Sequence, residues 1–113
     1  MTRLILGFIG PKPLPGDRKY WNDVLTKKGL DAFYDFYRTK TRDDLVLRLS
    51  EMFLLERRGY AVDESLQEII LPLLDELDES ARLKNRVDTV VNNGGILKGF
   101  LGGKNMSEKI RVW

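Results

Sequence analysis

Cysteine and histidine are both absent from this chain. Without thiols there is no disulfide, thiolate metal site, iron–sulfur cluster or cysteine nucleophile, and an intracellular setting is expected, cytoplasmic or another reducing compartment. Without imidazole there is no Ser-His-Asp triad, no histidine base and no histidine-ligated di-iron site. Long apolar runs are missing too. No stretch approaches the ~18 uninterrupted apolar residues that a membrane span needs. The apolar stretch near the start, residues 4–9, runs into Gly10 and a proline segment with no small-residue cleavage site, so it is taken as a strand or arm and not a leader. Only four prolines occur, and three of them fall within residues 11–15. That segment lacks backbone donors and is expected to be a stiff extended connector.

What is present is ordinary in amount and unusual in layout. The 113 residues are 42% hydrophobic and 32% charged, enough for one domain with a single core. Formal net charge is +2, but the charges are sorted. Residues 1–42 hold nine Lys/Arg against four acids, residues 43–88 six against twelve, and residues 89–113 four against one. A basic–acidic–basic order can steer a partner or hold the ends of the chain against its middle.

Helical spacing dominates the centre. Asp17 is placed to cap a helix carrying Trp21, Val24 and Leu25, with Lys27-Lys28-Gly29 as its stop. Phe33, Phe36 and Tyr37 repeat the spacing in a second short helix. Thr41 and Asp44 form a capping box for a third, with Leu45, Val46, Leu49, Met52 and Phe53 on one stripe and Arg57-Arg58-Gly59 closing it. Asp63 or Ser65 caps the longest run, through Leu66, Ile69, Ile70, Leu73, Leu74, Leu77 and Ala81 to Val91, kinked at Pro72 and ended by Asn92-Asn93-Gly94-Gly95. Ile110, Val112 and Trp113 alternate as in a terminal strand. The expected fold is therefore mainly α: one domain over residues 1–113, with an extended arm and connector (1–16), a helical body (17–93), and a glycine-rich loop with a terminal strand (94–113).

Candidate chemistry is sparse. The loop over residues 10–16 follows a strand as a phosphate-binding loop does, but its prolines cannot cradle phosphate. Asp75, Glu76, Asp78 and Glu79 crowd one helical stretch and could attract a hard cation, yet such faces are ordinarily just solvated. The sequence thus offers no catalytic residue, metal ligand set or cofactor site, and a non-enzymatic protein with no small-molecule substrate is expected. The favoured function is a structural or assembly subunit docking on another protein chain, in a homo-oligomer or a larger complex. Its apolar ends would supply the contacts: Leu4, Leu6, Phe8, Ile96, Leu97, Phe100, Leu101, Ile110, Val112 and Trp113. The alternative is a nucleic-acid-associated protein, with Arg18, Lys19, Lys27, Lys28, Arg38, Lys40 and Arg42 on phosphates and Tyr20 and Tyr34 as exposed stacking rings.

Overall fold

The computed structural model describes residues 3–102; the expected contacts of Ile110, Val112 and Trp113 lie outside them. Eleven short elements build a mixed sheet with helices on both faces, not a helical bundle. In chain order these are β1 (Leu4–Gly10), α1 (Asp17–Lys27), β2 (Ala32–Arg38), α2 (Arg42–Leu54) and β3 (Arg57–Val62). Two 3-10 turns follow (Glu64–Leu66 and Leu71–Leu73), then β4 (Glu76–Leu77), α3 (Glu79–Lys84), β5 (Thr89–Asn93) and β6 (Ile96–Phe100). The strands lie in the order β2-β1-β3-β5-β6-β4. β1 runs parallel to β2 and β3, β5 runs antiparallel to β3 and β6, and β4 parallels β6.

The mainly α expectation fails where a short apolar run satisfies both periodicities. Phe33, Phe36 and Tyr37 fit i, i+3, i+4, but the segment pairs residue by residue with β1, from Leu4 opposite Ala32 to Gly10 opposite Arg38. Period alone cannot separate a seven-residue strand from two helical turns. The supposed long helix is likewise broken into two turns, a two-residue strand, a six-residue helix and β5. Pro72 does not kink a helix; it starts a 3-10 turn, where its missing N–H removes nothing. Arg57-Arg58-Gly59 is not a helix stop but the start of β3. Asn92-Asn93-Gly94-Gly95 is a hairpin turn joining β5 to β6, with Gly94 and Gly95 at φ 62° and 96°. Two positive φ values in a two-residue loop match the twist of the flanking strands, which is why glycine is used there.

Two of the helices do form where the spacing places them. α2 opens on a true capping box: the Thr41 side chain accepts from the Asp44 N–H, and the Asp44 carboxylate accepts from the Lys40 and Thr41 N–H groups. Those backbone donors hold the Asp44 carboxyl below the usual carboxylate range. α1 ends at Lys27, with Gly29 at φ 73°. Its cap is Gly16 in place of Asp17; the Asp17 carboxylate instead accepts from the Tyr34 hydroxyl at 2.9 Å. Asn22 ties α1 to the edge strand, its amide taking the N–H of Tyr34 at 2.8 Å and giving to its carbonyl at 2.9 Å.

The core forms on both faces. Leu25 of α1 packs with Leu6, Phe8, Tyr34 and Val91 on one side. Leu45, Leu49 and Met52 of α2 pack with Ile9, Tyr60, Val62, Val90 and Leu97 on the other. The first strand is therefore not a loose arm but an interior strand between β2 and β3, with Leu6 and Ile9 wholly buried. Phe53, read as part of the buried stripe, is half exposed. No described helix is long and apolar enough to cross a membrane.

Candidate functional site at the carboxyl edge of the sheet

β2, β1 and β3 are parallel, so their carboxyl ends share one edge. From β1 the chain goes first to β2 on one side and then across to β3 on the other, so the loops leaving β1 and β3 part at this edge. In open α/β sheets such a switch of direction is where ligands bind. The antiparallel β5 begins at the same edge, and β6 ends there.

Backbone bonds draw these ends together. The Asp63 N–H donates to the Ile9 carbonyl at 2.9 Å, and the Thr39 N–H to the Gly10 carbonyl at 2.8 Å. The Val62 N–H donates to the Asp88 carbonyl and the Asp88 N–H to the Phe100 carbonyl, both at 2.9 Å. Gln67 closes the group: its carbonyl accepts from the Val87 N–H at 3.0 Å, and its Nε2 donates to the Val62 carbonyl at 3.1 Å. Asp63, Gln67 and Asp88 thus gather around the end of β3. Gly10 must be glycine for this approach, because a Cβ there would fall 2.7 Å from Asp63 Cβ.

Each carboxylate is oriented. Asp63 accepts from the Ser65 N–H at 3.0 Å, and Asp88 from the Gly102 N–H at 3.2 Å and the Thr89 hydroxyl at 3.1 Å. Asp78, after β4, caps α3; hydrogen bonds from the Ser80 hydroxyl and N–H, with Lys98 nearby, keep its carboxyl below the usual range. Lys12 follows β1 and Lys40 follows β2, both exposed on this side. The edge can therefore accept hydrogen bonds from hydroxyl groups through Asp63 and Asp88, with cationic side chains on the flanking loops.

The residues expected to dock on a partner are mostly core. Leu6, Phe8 and Leu97 are buried, Leu4, Phe100 and Leu101 are half-buried against the same clusters, and Ile96 is exposed. The apolar ends are covered because β1 and β6 are interior strands of the sheet. The expected nucleic-acid surface is not gathered either. Tyr34 is buried, whereas Tyr20 is exposed and edge-on to Trp21. Arg18 lies over Phe33 and pairs with Asp35, Lys19 pairs with Asp23, and Arg38 donates to the Pro11 carbonyl. Lys27 and Lys28 sit at the far end of α1 from Lys40 and Arg42, which flank the start of α2. The four clustered acids do not share a helix: Asp75 accepts from the Leu97 N–H, Glu76 is in β4, and Asp78 and Glu79 start α3. Among the described residues no group of three or more His, Cys, Asp or Glu could hold a metal ion. In the sequence Asp63 carries only a capping signal, and nothing in the spacing of Asp63, Gln67 and Asp88 joins them before β3 and β5 pair.

No family model matches the chain. The likeness is to shikimate dehydrogenases. A shikimate dehydrogenase (NADP(+)) of Alkaliphilus metalliredigens is 42% identical over 72 residues, 64% of this chain and 25% of that protein. One from Streptococcus pyogenes is 39% identical over 85 residues, 75% of this chain and 28% of that protein. Among solved structures, the Listeria monocytogenes shikimate 5-dehydrogenase, in complex with shikimate and NAD, superposes with a TM-score of 0.77 at 27% identity, over 87% of this chain and 34% of that one. The chain therefore spans about a quarter of the length of the curated shikimate dehydrogenases it matches. These findings correct three expectations: the relatives are enzymes and not assembly subunits, the fold is that of a dehydrogenase and not a helical docking protein, and the solved relative holds a small molecule.

Proposed function

We propose that this chain is the substrate-holding α/β unit of a shikimate-dehydrogenase-like oxidoreductase, receiving a small polyhydroxylated acid at the carboxyl edge of its sheet. The observation that carries this is the agreement of its mixed sheet, over 87% of the chain, with a dehydrogenase that holds shikimate. Asp63 and Asp88 accept hydrogen bonds from substrate hydroxyls. Lys12 and Lys40 offset the charge of a substrate carboxylate. Gln67 acts at one remove, fixing the end of β3 through its bond to the Val62 carbonyl.

The described residues do not fit a dinucleotide. No G-x-G-x-x-G run occurs in the sequence, and the turn from β1 to α1 carries three prolines where a pyrophosphate needs backbone N–H donors. A nicotinamide cofactor, which would supply or accept hydride, belongs to another unit in this reading.

The test is a titration of the 15N-labelled chain with shikimate up to about 10 mM, with myo-inositol as a polyol lacking the carboxylate. Saturable shifts at Gly10, Asp63, Gln67, Asp88 and Gly102 are expected, with weaker binding in D88N. Absence of saturation, or shifts confined to the opposite edge of the sheet, would overturn the assignment.

A further inference from the structure

At the opposite, amino edge a cleft of about 430 Å³ opens between the start of β1, the end of α2, the start of β3 and the β5–β6 turn. Its walls include Arg3, Phe53, Glu56, Arg57, Arg58 and Asn92. It is far from the carboxyl edge, and nothing argued for it rests on the dehydrogenase reading.

Three features single it out. The pairing of β3 with β1 slips between Ile5, opposite Arg57, and Leu6, opposite Gly59, leaving Arg58 as the extra residue of a bulge. In a regular strand Arg57 and Arg58 would face opposite ways. The bulge lets both line one cleft, and it lets Arg57 reach Tyr60, three residues on, at 3.2 Å. Second, the two other arginines of the cleft are already paired. Arg57 donates to Glu51 at 3.0 Å and lies 3.9 Å over the Tyr37 ring, and Arg3 is bound to Asp31 at 3.0 Å. The Arg58 side chain makes no hydrogen bond or ion pair among the described residues, and its Nε is closed from solvent, so an entering group meets its terminal nitrogens. A guanidinium is charged at every relevant pH, so Arg58 stands in the cleft with no counter-charge beside it among the described residues. Third, the cleft carries an apolar wall. Phe53 is 49% exposed there, and Glu56 beside it sits in left-handed backbone at φ 52°, a conformation that bulky residues seldom adopt.

We propose that this cleft binds a small organic oxyanion, its charged group held end-on by the terminal nitrogens of the Arg58 guanidinium and its apolar body against Phe53. A carboxylate or phosphate offers two acceptors at the spacing of the two terminal guanidinium nitrogens, which would supply the missing counter-charge end-on while the Nε stays closed from solvent. Glu56 on the rim stands against a second negative group, so a monoester or monocarboxylate fits better than a longer polyanion.

The probe is phenyl phosphate, with inorganic phosphate beside it, followed by 1H–15N spectra of the full chain that include the arginine Nε–H region. Saturable binding below about 10 mM is expected, with the Arg58 Nε–H resonance moving and shifts centred on Arg58, Gly94 and Gly95. R58Q should weaken phenyl phosphate by about tenfold or more, the loss of a charge-assisted pair. R58K keeps the charge without the fork and should lose nearly as much, which covers the case that R58Q does not fold. F53A, at an exposed position, should weaken phenyl phosphate severalfold and leave inorganic phosphate unchanged. No saturation with phenyl phosphate, wild-type affinity in the folded Arg58 variants, or shifts centred on the carboxyl edge would each overturn the proposal. None of these results bears on the shikimate titration.

Discussion

Replacing Gly7 by alanine tests the packing of the interior strand β1. A Cβ at Gly7 would fall 2.6 Å from Tyr37 Cδ2, closer still to Cε2, and 2.7 Å from the Asp35 carbonyl oxygen. The carbonyl belongs to β2, paired with β1 along its whole length, and cannot retreat alone. The ring is held as well: the Arg57 guanidinium lies 3.9 Å above it, and Tyr60, wholly buried, meets it edge-on at 5.8 Å. Overpacking of a core costs roughly 1–3 kcal/mol, and with backbone on one side and a clamped ring on the other the upper end applies. For a chain of this size about 3 kcal/mol corresponds to a fall in melting temperature of roughly 10 °C. Urea unfolding followed by circular dichroism should show a lower midpoint with an unchanged slope. The double variant G7A/Y37A makes the argument specific. With the ring gone the added methyl has room, so the two costs should fall short of additivity by about 1–2 kcal/mol. A single variant within about 0.5 kcal/mol of wild type, or strictly additive costs, would refute the clash.

Two further outcomes follow from burial. Leu49→Ala empties a buried site under α2 and should cost roughly 2–5 kcal/mol, whereas Phe53→Ala on the same helix should cost under about 1 kcal/mol because its ring is 49% exposed; equal costs in urea melts would mean the stripe is misassigned. Alkaline pH should destabilise the fold. Burial pushes the Tyr60 phenol up to about 12, and burial with the hydrogen bond to Asp17 pushes Tyr34 higher, while Tyr37 is also raised, chiefly by burial. Each is held neutral in the folded chain, so its contribution is complete below about pH 10, the ordinary phenol value, and is lost as pH rises through the folded value. The urea midpoint should therefore fall between about pH 10 and about pH 12; a flat profile would contradict the burial of these rings.

The carboxyl-edge site was scarcely legible in the chain. Asp63, Gln67 and Asp88 are separated by three and then twenty other residues, and only the pairing of β3 with β5 and the turn after β3 bring them together. The Asn-Gly pair at 93–94 was a legible hairpin signal. Its reading as a helix stop followed from extending one helical period through residues 63–92, although Pro72 and the Ser65 and Ser80 turn positions argued for shorter pieces. The unpartnered Arg58 is also a product of pairing, since a bulge exists only relative to a neighbouring strand.

The order of residues by itself determined the local features: the first strand, the capping box at Thr41, the glycine after α1 and the exclusion of thiol and imidazole chemistry. These depend on neighbours within about four positions, where backbone propensity and capping act. Only the tertiary structure decided that the apolar ends are interior, because β1 is covered when Ala32 and Arg57, far along the chain, pair with either side of it. An apolar run carries the free energy of burial but not the identity of what buries it, and here the chain's own later strands do so.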